Sequence, residues 1–420
     1  MEPTRGRLDA AVAALQVVLG LTRPADAALK TFFRDHHELG QSDRAFVAEL
    51  VFTVLRHLRL LEQLSGEPQP RRLALAALAL QVGFSVRELA PLLASGDEAW
   101  LSHARSIDQA QLPPAVRLSL PDWLYERLER EHAPAELEQL ARGLLQPAPL
   151  DLRVNTQLAT RGEVLTALEH DGIRAEPTPY SPVGVRLETK PALQHHALCV
   201  SGKVEVQDEG SQLLTYLVAP RRREMVVDFC AGAGGKTLAL GALMSSEGRL
   251  YAFDTADKRL ANLKPRLKRS GLSNVHPQLI SGESDARVKR LAAKIDRVLV
   301  DAPCSGLGTV RRNPDLKWRQ RPDSVAEMTV KQRAILAGAA RLVKPGGRLV
   351  YATCSLLSDE NEDIVDAFLA ADPRFRLAHC GEILKRQGIA LDTGPYFRVF
   401  PHSHGMDGFF AAVLERQAGT

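Results

Sequence analysis

Two short runs, Asp301-Ala302-Pro303-Cys304-Ser305-Gly306 and Ala352-Thr353-Cys354-Ser355, set two cysteines fifty positions apart, each after an apolar run that reads as a β-strand. A thiolate is the side chain best suited to covalent addition at an electron-poor ring carbon. Added to carbon 6 of a pyrimidine, it would make carbon 5, otherwise a poor nucleophile, able to take an alkyl group. A free thiol with a pKa of about 8.5 is only a few per cent ionised at neutral pH, so the attacking cysteine needs a helix terminus, cation or base beside it. Charge then builds toward ring N3, where an acid lowers the barrier. Asp301 is the candidate to share that proton. Residue type and spacing do not say which cysteine attacks and which assists release.

The elements that must hold these groups follow from periodicity. From Met225 onward, apolar runs at 226–229, 250–253, 275–280, 298–300 and 349–352 alternate with helical patterns, the rhythm of a doubly wound parallel sheet. A long helix is predicted between the last two strands, capped by Ser324-Val325-Ala326-Glu327 and stopped by Pro345-Gly346-Gly347. The alternation of Phe409, Ala411 and Val413 predicts an antiparallel hairpin over 396–414 that closes the sheet edge. Such a hairpin suits a methyltransferase sheet better than a plain dinucleotide fold.

Asp228-Phe229-Cys230-Ala231-Gly232-Ala233-Gly234-Gly235-Lys236-Thr237 joins the first strand to a helix, the turn that cradles the cofactor in open α/β sheets. Gly235-Lys236-Thr237 resembles the end of a phosphate loop, but Cys230 stands where that motif needs its first glycine, which argues against a nucleotide triphosphatase. Asp254 ends the second strand 26 residues after Asp228, where a carboxylate binds ribose in nicotinamide and S-adenosylmethionine enzymes alike. Hydride transfer has no use for paired thiols, so the cysteines favour S-adenosylmethionine. After the third strand, Asp285 is placed to accept from an adenine amino group; Glu283 competes for that role, and helix capping is the alternative for Asp285.

The 420 residues exceed one typical core, so two or three domains are expected. Stretches such as Leu8, Val12, Leu15, Leu19 and Phe46, Leu50, Val54, Leu58, Leu61 predict an all-helical unit over 1–145. Gln146-Pro147-Ala148-Pro149 opens a small α+β segment over 146–210, with strands at 152–154, 183–187 and 204–206 and a helix capped by Thr160 and Glu163. The catalytic domain takes 211–420. A formal charge of +4 and a pI near 8.8 permit a nucleic-acid partner without arguing for one. Five scattered cysteines with no Cys-x-x-Cys pair speak against a disulfide framework or a zinc site; no metal is expected, and reduced thiols fit a cytoplasmic protein. No run of eighteen uncharged apolar residues occurs, so no membrane span is predicted. Nothing in the sequence implies an oligomer.

The glycine loop, Asp301 to Gly306, Arg311-Arg312-Asn313-Pro314-Asp315-Leu316-Lys317-Trp318, and Tyr351 to Ser355 with Asn361-Glu362 together resemble the RNA cytosine-5 methyltransferases of the RsmB/Sun type. Gln207-Asp208-Glu209-Gly210-Ser211-Gln212 extends the resemblance, and the stretch from Asp43 to Leu58 is similar to a NusB-type RNA-binding domain. The resemblance spans essentially the whole chain. It implies a Rossmann-like class I S-adenosylmethionine methyltransferase domain, preceded by the all-α NusB-like domain and the small α+β insert. It further implies Cys354 as nucleophile, Cys304 in product release, and Cys230, Ala231, Gly232, Ala233, Gly234, Gly235, Lys236, Asp254, Asp285 and Asp301 around S-adenosylmethionine. The substrate implied is a cytosine of small-subunit ribosomal RNA, with phosphate contacts expected from Arg311, Arg312, Lys317 and Arg319. Transfer RNA or another ribosomal position, and a catalytically inert RNA-binding assembly factor, are the competing readings. The loop departs from the family at Gly232-Ala233, where Ala-Pro is more usual; the change removes no ligand group.

Overall fold

The computed structural model describes residues 2–418. The chain divides into two compact units, Met1–Pro147 with Thr309–Pro322, and Ala148–Gly308 with Asp323–Thr420. Among the described residues no helix is long and apolar enough to cross a membrane.

The first unit is helical because its apolar residues recur at three- and four-residue steps. Thr4 caps helix Arg5–Val18 by accepting from the Arg7 N–H, and the helix buries Leu8, Ala11, Leu15 and Val18. The stripe from Phe46 to Leu61 forms two helices, Gln41–Arg56 and Leu58–Ser65, interrupted at His57. Ser85 and Glu88 form the reciprocal cap expected of their spacing.

The segment 309–322, expected in the catalytic domain, packs into this helical unit instead. Its short helix Leu316–Arg319 is anchored by Trp318, whose indole N–H donates to Leu55 O at 2.6 Å, and by Asp315, which accepts from Ala25 N at 3.2 Å. Lys317 is wholly buried and donates to Arg56 O at 2.8 Å. Burial, and then the charge of Arg56, push its pKa well below that of an ordinary lysine.

The second unit contains two sheets. Strands β1 (Leu150–Val154), β2 (Ala175–Pro177), β3 (Gly184–Leu187) and β4 (Val204–Val206) form an antiparallel sheet in the order β2-β3-β1-β4. Helix Arg161–His170, opened by the Thr160–Glu163 capping box, shares a core with Leu152, Val154 and Val185. Short, half-polar β2 carries no apolar alternation, and the sequence did not announce it.

The larger sheet comprises β5 (Met225–Asp228), β6 (Arg249–Asp254), β7 (Val275–Leu279), β8 (Ile295–Asp301), β9 (Val343–Thr353), β10 (Phe375–Ala378), β11 (Phe397–Val399) and β12 (Phe409–Arg416). Its order is β10-β12-β9-β8-β5-β6-β7, with β5 to β9 mutually parallel and β12 antiparallel to β9. This is the Rossmann-like arrangement expected. Val298 to Val300 and Leu349 to Ala352 are fully buried, as a parallel sheet covered on both faces requires.

Three local expectations are corrected. The β11–β12 hairpin exists, but β10 holds the sheet edge because β12 is inserted between β9 and β10. The long helix runs Pro322–Ala340, starting two residues before Ser324 because proline is favoured in a first helical turn. Pro345-Gly346-Gly347 lies inside β9 rather than ending that helix. There the register between β8 and β9 shifts, Gly346 takes φ +75°, and pairing resumes at Arg297 opposite Arg348.

Beyond the carboxyl ends of β8 and β9, the Gly308 N–H donates to Cys354 O and Gly308 O accepts from Gly408 N, both at 2.8 Å. A Cβ on Gly308 would lie 2.1 Å from Gly408 O and 2.9 Å from Cys354 O, both backbone atoms that cannot rotate away. Gly308→Ala is therefore expected to lower unfolding stability by about 1–3 kcal/mol, the usual cost of overpacking. Urea unfolding followed by circular dichroism measures this, and an unchanged midpoint would show that the three segments are not clamped there.

Candidate active site

The parallel register of β8 and β9 places Asp301 opposite Ala352. Each chain then turns off the sheet, and three residues after Asp301 and two after Ala352 the thiols of Cys304 and Cys354 meet with sulfurs 3.5 Å apart. Both residues are half-buried and neither is in a disulfide. Contact with Cys354 and then burial push the Cys304 thiol well above its ordinary pKa, with the charges of Cys354 and Glu360 acting in the same direction.

The helix after the β5 turn, Gly235–Leu243, presents a cation to Asp301. Lys236 Nζ lies 2.6 Å from Asp301 Oδ2. Burial alone would lower the Lys236 pKa; the carboxylate of Asp301, followed by the charges of Cys354 and Asp228, overrides it, and the pKa rises. An ammonium is thus retained beside the Asp301 carboxylate.

Gly232 and Gly234 adopt φ of +56° and +85°, a region that disfavours a side chain. A Cβ at Gly234 would also meet Leu263 Cδ1 at 2.1 Å, whereas one at Gly232 would meet nothing within 4 Å. Gly232 N donates to Asp254 Oδ2 at 2.8 Å and Ala256 N to Asp254 Oδ1 at 2.7 Å, so Asp254 ties the loop to the end of β6. Each of its oxygens keeps acceptor capacity for a hydroxyl. The half-buried Cys230 thiol is pushed well above its ordinary pKa, by burial and then by the charges of Asp228, Asp301 and Asp254, so it stays protonated.

Two guanidinium groups hold the loop from outside, and neither is signalled by residue type or spacing. Arg153, on β1, donates to Gly235 O and to Gln207 Oε1, both at 2.5 Å. Arg266 donates to Ala233 O at 2.6 Å while paired with Glu205 at 2.8 Å. Only a clustering of arginines that ought to be exposed, yet lie in apolar surroundings, could have pointed to them. Burial draws Arg153 down to about 10. Glu360, fully buried between the two cysteine turns, is likewise absent from the expected set.

The outer candidates are placed differently. Asp285 caps helix Ala286–Lys289, accepting from Arg287 N at 2.8 Å and Ser281 N at 2.9 Å, which is the capping alternative. Those backbone donors hold its pKa below the usual carboxylate value. Glu283 packs against Gly338 of helix Pro322–Ala340. Of the expected phosphate contacts, Lys317 and Arg311 are buried in the helical unit, 0% and 5% exposed, and are not surface cations. The run reads as basic in one dimension, but Trp318 and Asp315 carry it inward. Arg312 is half-buried, and Arg319 pairs with Asp315 at 3.2 Å.

Asp228 supplies a pH signature. It is 1% exposed, accepts from Thr237 Oγ1 at 2.6 Å, and burial, opposed by that hydrogen bond, raises its pKa to about 7. The native state therefore holds a proton that the unfolded chain releases near pH 4, and the stability this confers is lost as pH rises from about 4 through about 7. Asp228→Asn should remove this term, so the variant gains stability relative to the parent across that window. Parallel stability–pH curves for the two proteins, from chemical denaturation at each pH, would contradict it.

The family described as 16S rRNA methyltransferase RsmB/F matches residues 215–415, and an RsmF/B-like ferredoxin-like domain matches 120–194. A probable ribosomal RNA small subunit methyltransferase B of Synechocystis is 33% identical over 416 residues, covering 90% of this chain and 93% of that protein. The crystal structure of PH0851 superposes with a TM-score of 0.79 at 27% identity, over 99% of this chain and all of that one. A methyltransferase homologue from Pyrococcus horikoshii gives a TM-score of 0.61 at 26% identity, over 73% of this chain and all of the other. The chain belongs to the RsmB/F family of ribosomal RNA small subunit methyltransferases.

Proposed function

We propose that this methyltransferase places a methyl group on carbon 5 of a cytosine in small-subunit ribosomal RNA, taken from S-adenosylmethionine, through a covalent adduct between Cys354 and ring carbon 6. The observation that carries the reading is the pair of free thiols 3.5 Å apart beside the Lys236–Asp301 ion pair. Such an arrangement serves covalent addition and elimination at a ring carbon and has no role in direct methylation of an oxygen or nitrogen.

The residues at the sheet end fit the cofactor. Gly232 and Gly234 keep the turn free of side chains, Asp254 offers acceptors to ribose hydroxyls, and Lys236 with Asp301 matches the paired charges of an amino-acid terminus. S-adenosylmethionine supplies a methyl group on a positively charged sulfur.

The chain's own groups account for the remaining steps. The Cys354 thiolate forms a carbon–sulfur bond to carbon 6, aided by the nearby Lys236 ammonium. Charge moves toward ring N3, where Asp301 shares a proton. Carbon 5 takes the methyl group as its bond to the sulfonium sulfur breaks. Water at the site takes the proton from carbon 5, the electron pair of that bond restores the ring double bond, and the carbon–sulfur bond to Cys354 breaks, returning the thiolate. Cys304, held as a thiol against the attacking sulfur, assists that release. The target base is extruded from its stack, at a cost of a few kcal/mol. Of the basic residues first considered, Arg312 and Arg319 remain as phosphate contacts in this proposal.

The test uses Cys304→Ala incubated with unmodified small-subunit RNA and S-adenosylmethionine. A protein–RNA adduct that survives denaturation is expected, with Cys354→Ala forming none. An adduct that persists without Cys354 would exchange the roles of the cysteines. No adduct together with methylation at a base nitrogen would dismiss the carbon-5 reading. Lys236→Met is expected to weaken S-adenosylmethionine binding by at least about tenfold, since it strands Asp301 without its cation; calorimetry measures this.

A further inference from the structure

Ser305 and Ser355, each immediately following one of the two cysteines, converge on one side chain. Glu360 Oε2 accepts from Ser305 Oγ and from Ser355 Oγ, both at 2.5 Å. Its Oε1 accepts from Ser305 N at 2.8 Å and from Gln332 Nε2 at 3.0 Å. The same amide of Gln332 donates to Pro303 O at 2.9 Å, and the backbone carbonyl of Glu360 accepts from the Tyr351 hydroxyl at 2.6 Å. Glu360 is 0% exposed, and the groups facing its carboxylate from the β8 turn, the β9 turn and helix Pro322–Ala340 are neutral donors. A buried carboxylate saturated in this way is costly to place and rigid once placed.

We propose that Glu360 is a positioning residue for the methyl-transfer reaction: one buried carboxylate that fixes the two thiol-bearing turns against each other. The inference rests on the two-cysteine reading above. Two independent turns at the end of a sheet would otherwise drift relative to each other, and a displacement of about 1 Å at a reacting centre costs about a hundredfold in rate. Contact with Cys354, burial and the charge of Cys354 raise the Cys304 pKa, and the charge of Glu360 adds to them, so loss of that charge should lower it.

The test is Glu360→Gln in the full-length protein. The expected result is S-adenosylmethionine affinity within about twofold of the parent, an unchanged KM for RNA, and kcat lower by about 10- to 100-fold. The pH midpoint for alkylation of Cys304, read peptide by peptide by mass spectrometry, should fall, and Glu360→Asp should restore it because the charge returns. Unchanged kcat with an unchanged midpoint overturns the proposal. A lower kcat with an unmoved midpoint marks a packing defect and overturns it as well. Should Glu360→Gln fail to fold, Ser305→Ala with Ser355→Ala removes both hydroxyl contacts, and a parental kcat there is equally fatal. Alkylation is read without RNA, so failure of the cytosine reading leaves that measurement standing and the two outcomes separate.

Discussion

The pairing of two parallel strands, β8 with β9, is the constraint on which the site depends. Their backbone hydrogen bonds put Asp301 level with Ala352, so chain segments fifty residues apart leave the sheet at the same height. In a strand the side-chain period is two, and a slip of one residue would turn Asp301 to the opposite face and separate the thiols. The fully buried run from Leu349 to Ala352 penalises such a slip, because it would exchange the packing of every side chain in the run. Register is thus held by the core, and the core is far less tolerant than the turns it positions.

Charge is distributed around this point with little redundancy. Lys236 is the ammonium beside Asp301, and it stays protonated because the charge of that carboxylate, with those of Cys354 and Asp228, outweighs its burial. Asp228, one strand away, is buried deeply enough to take up a proton near neutrality. The glycine loop between them contributes backbone rather than side chains, and its outward carbonyls are held by Arg153 and Arg266. Arg153 comes from the small antiparallel sheet, which therefore supports the glycine loop as well as forming a layer of its own. The cost of burying that guanidinium is offset by two strong acceptors, one of them a loop carbonyl.

Local signals in the chain were legible where the physics is local. The capping pairs Ser85–Glu88 and Thr160–Glu163 formed as their spacing requires, and the buried strands appeared as unbroken apolar runs. Signals failed where a residue's role depends on distant partners. Pro345-Gly346-Gly347 reads as a helix stop, yet pairing with β8 absorbs it into a strand through a register shift. Arg311 to Lys317 reads as a basic surface run, yet Trp318 and Asp315 find partners on the helices of the first unit and draw it inside. Asp285 satisfies its own helix, a local solution that competes with any ligand.

Sequence by itself determined the chemistry available: two thiols in strand-end turns, a glycine loop followed by lysine, and carboxylates at strand ends, each a matter of residue type and short spacing. Tertiary structure alone decided that the thiols touch, that Lys236 pairs with Asp301, and that Arg153, Arg266 and Glu360 hold the turns in place. The reason is physical. Propensity and periodicity act over a few residues, whereas the pairing of buried polar groups is settled only when segments far apart in the chain are brought into one core and each donor must find its acceptor.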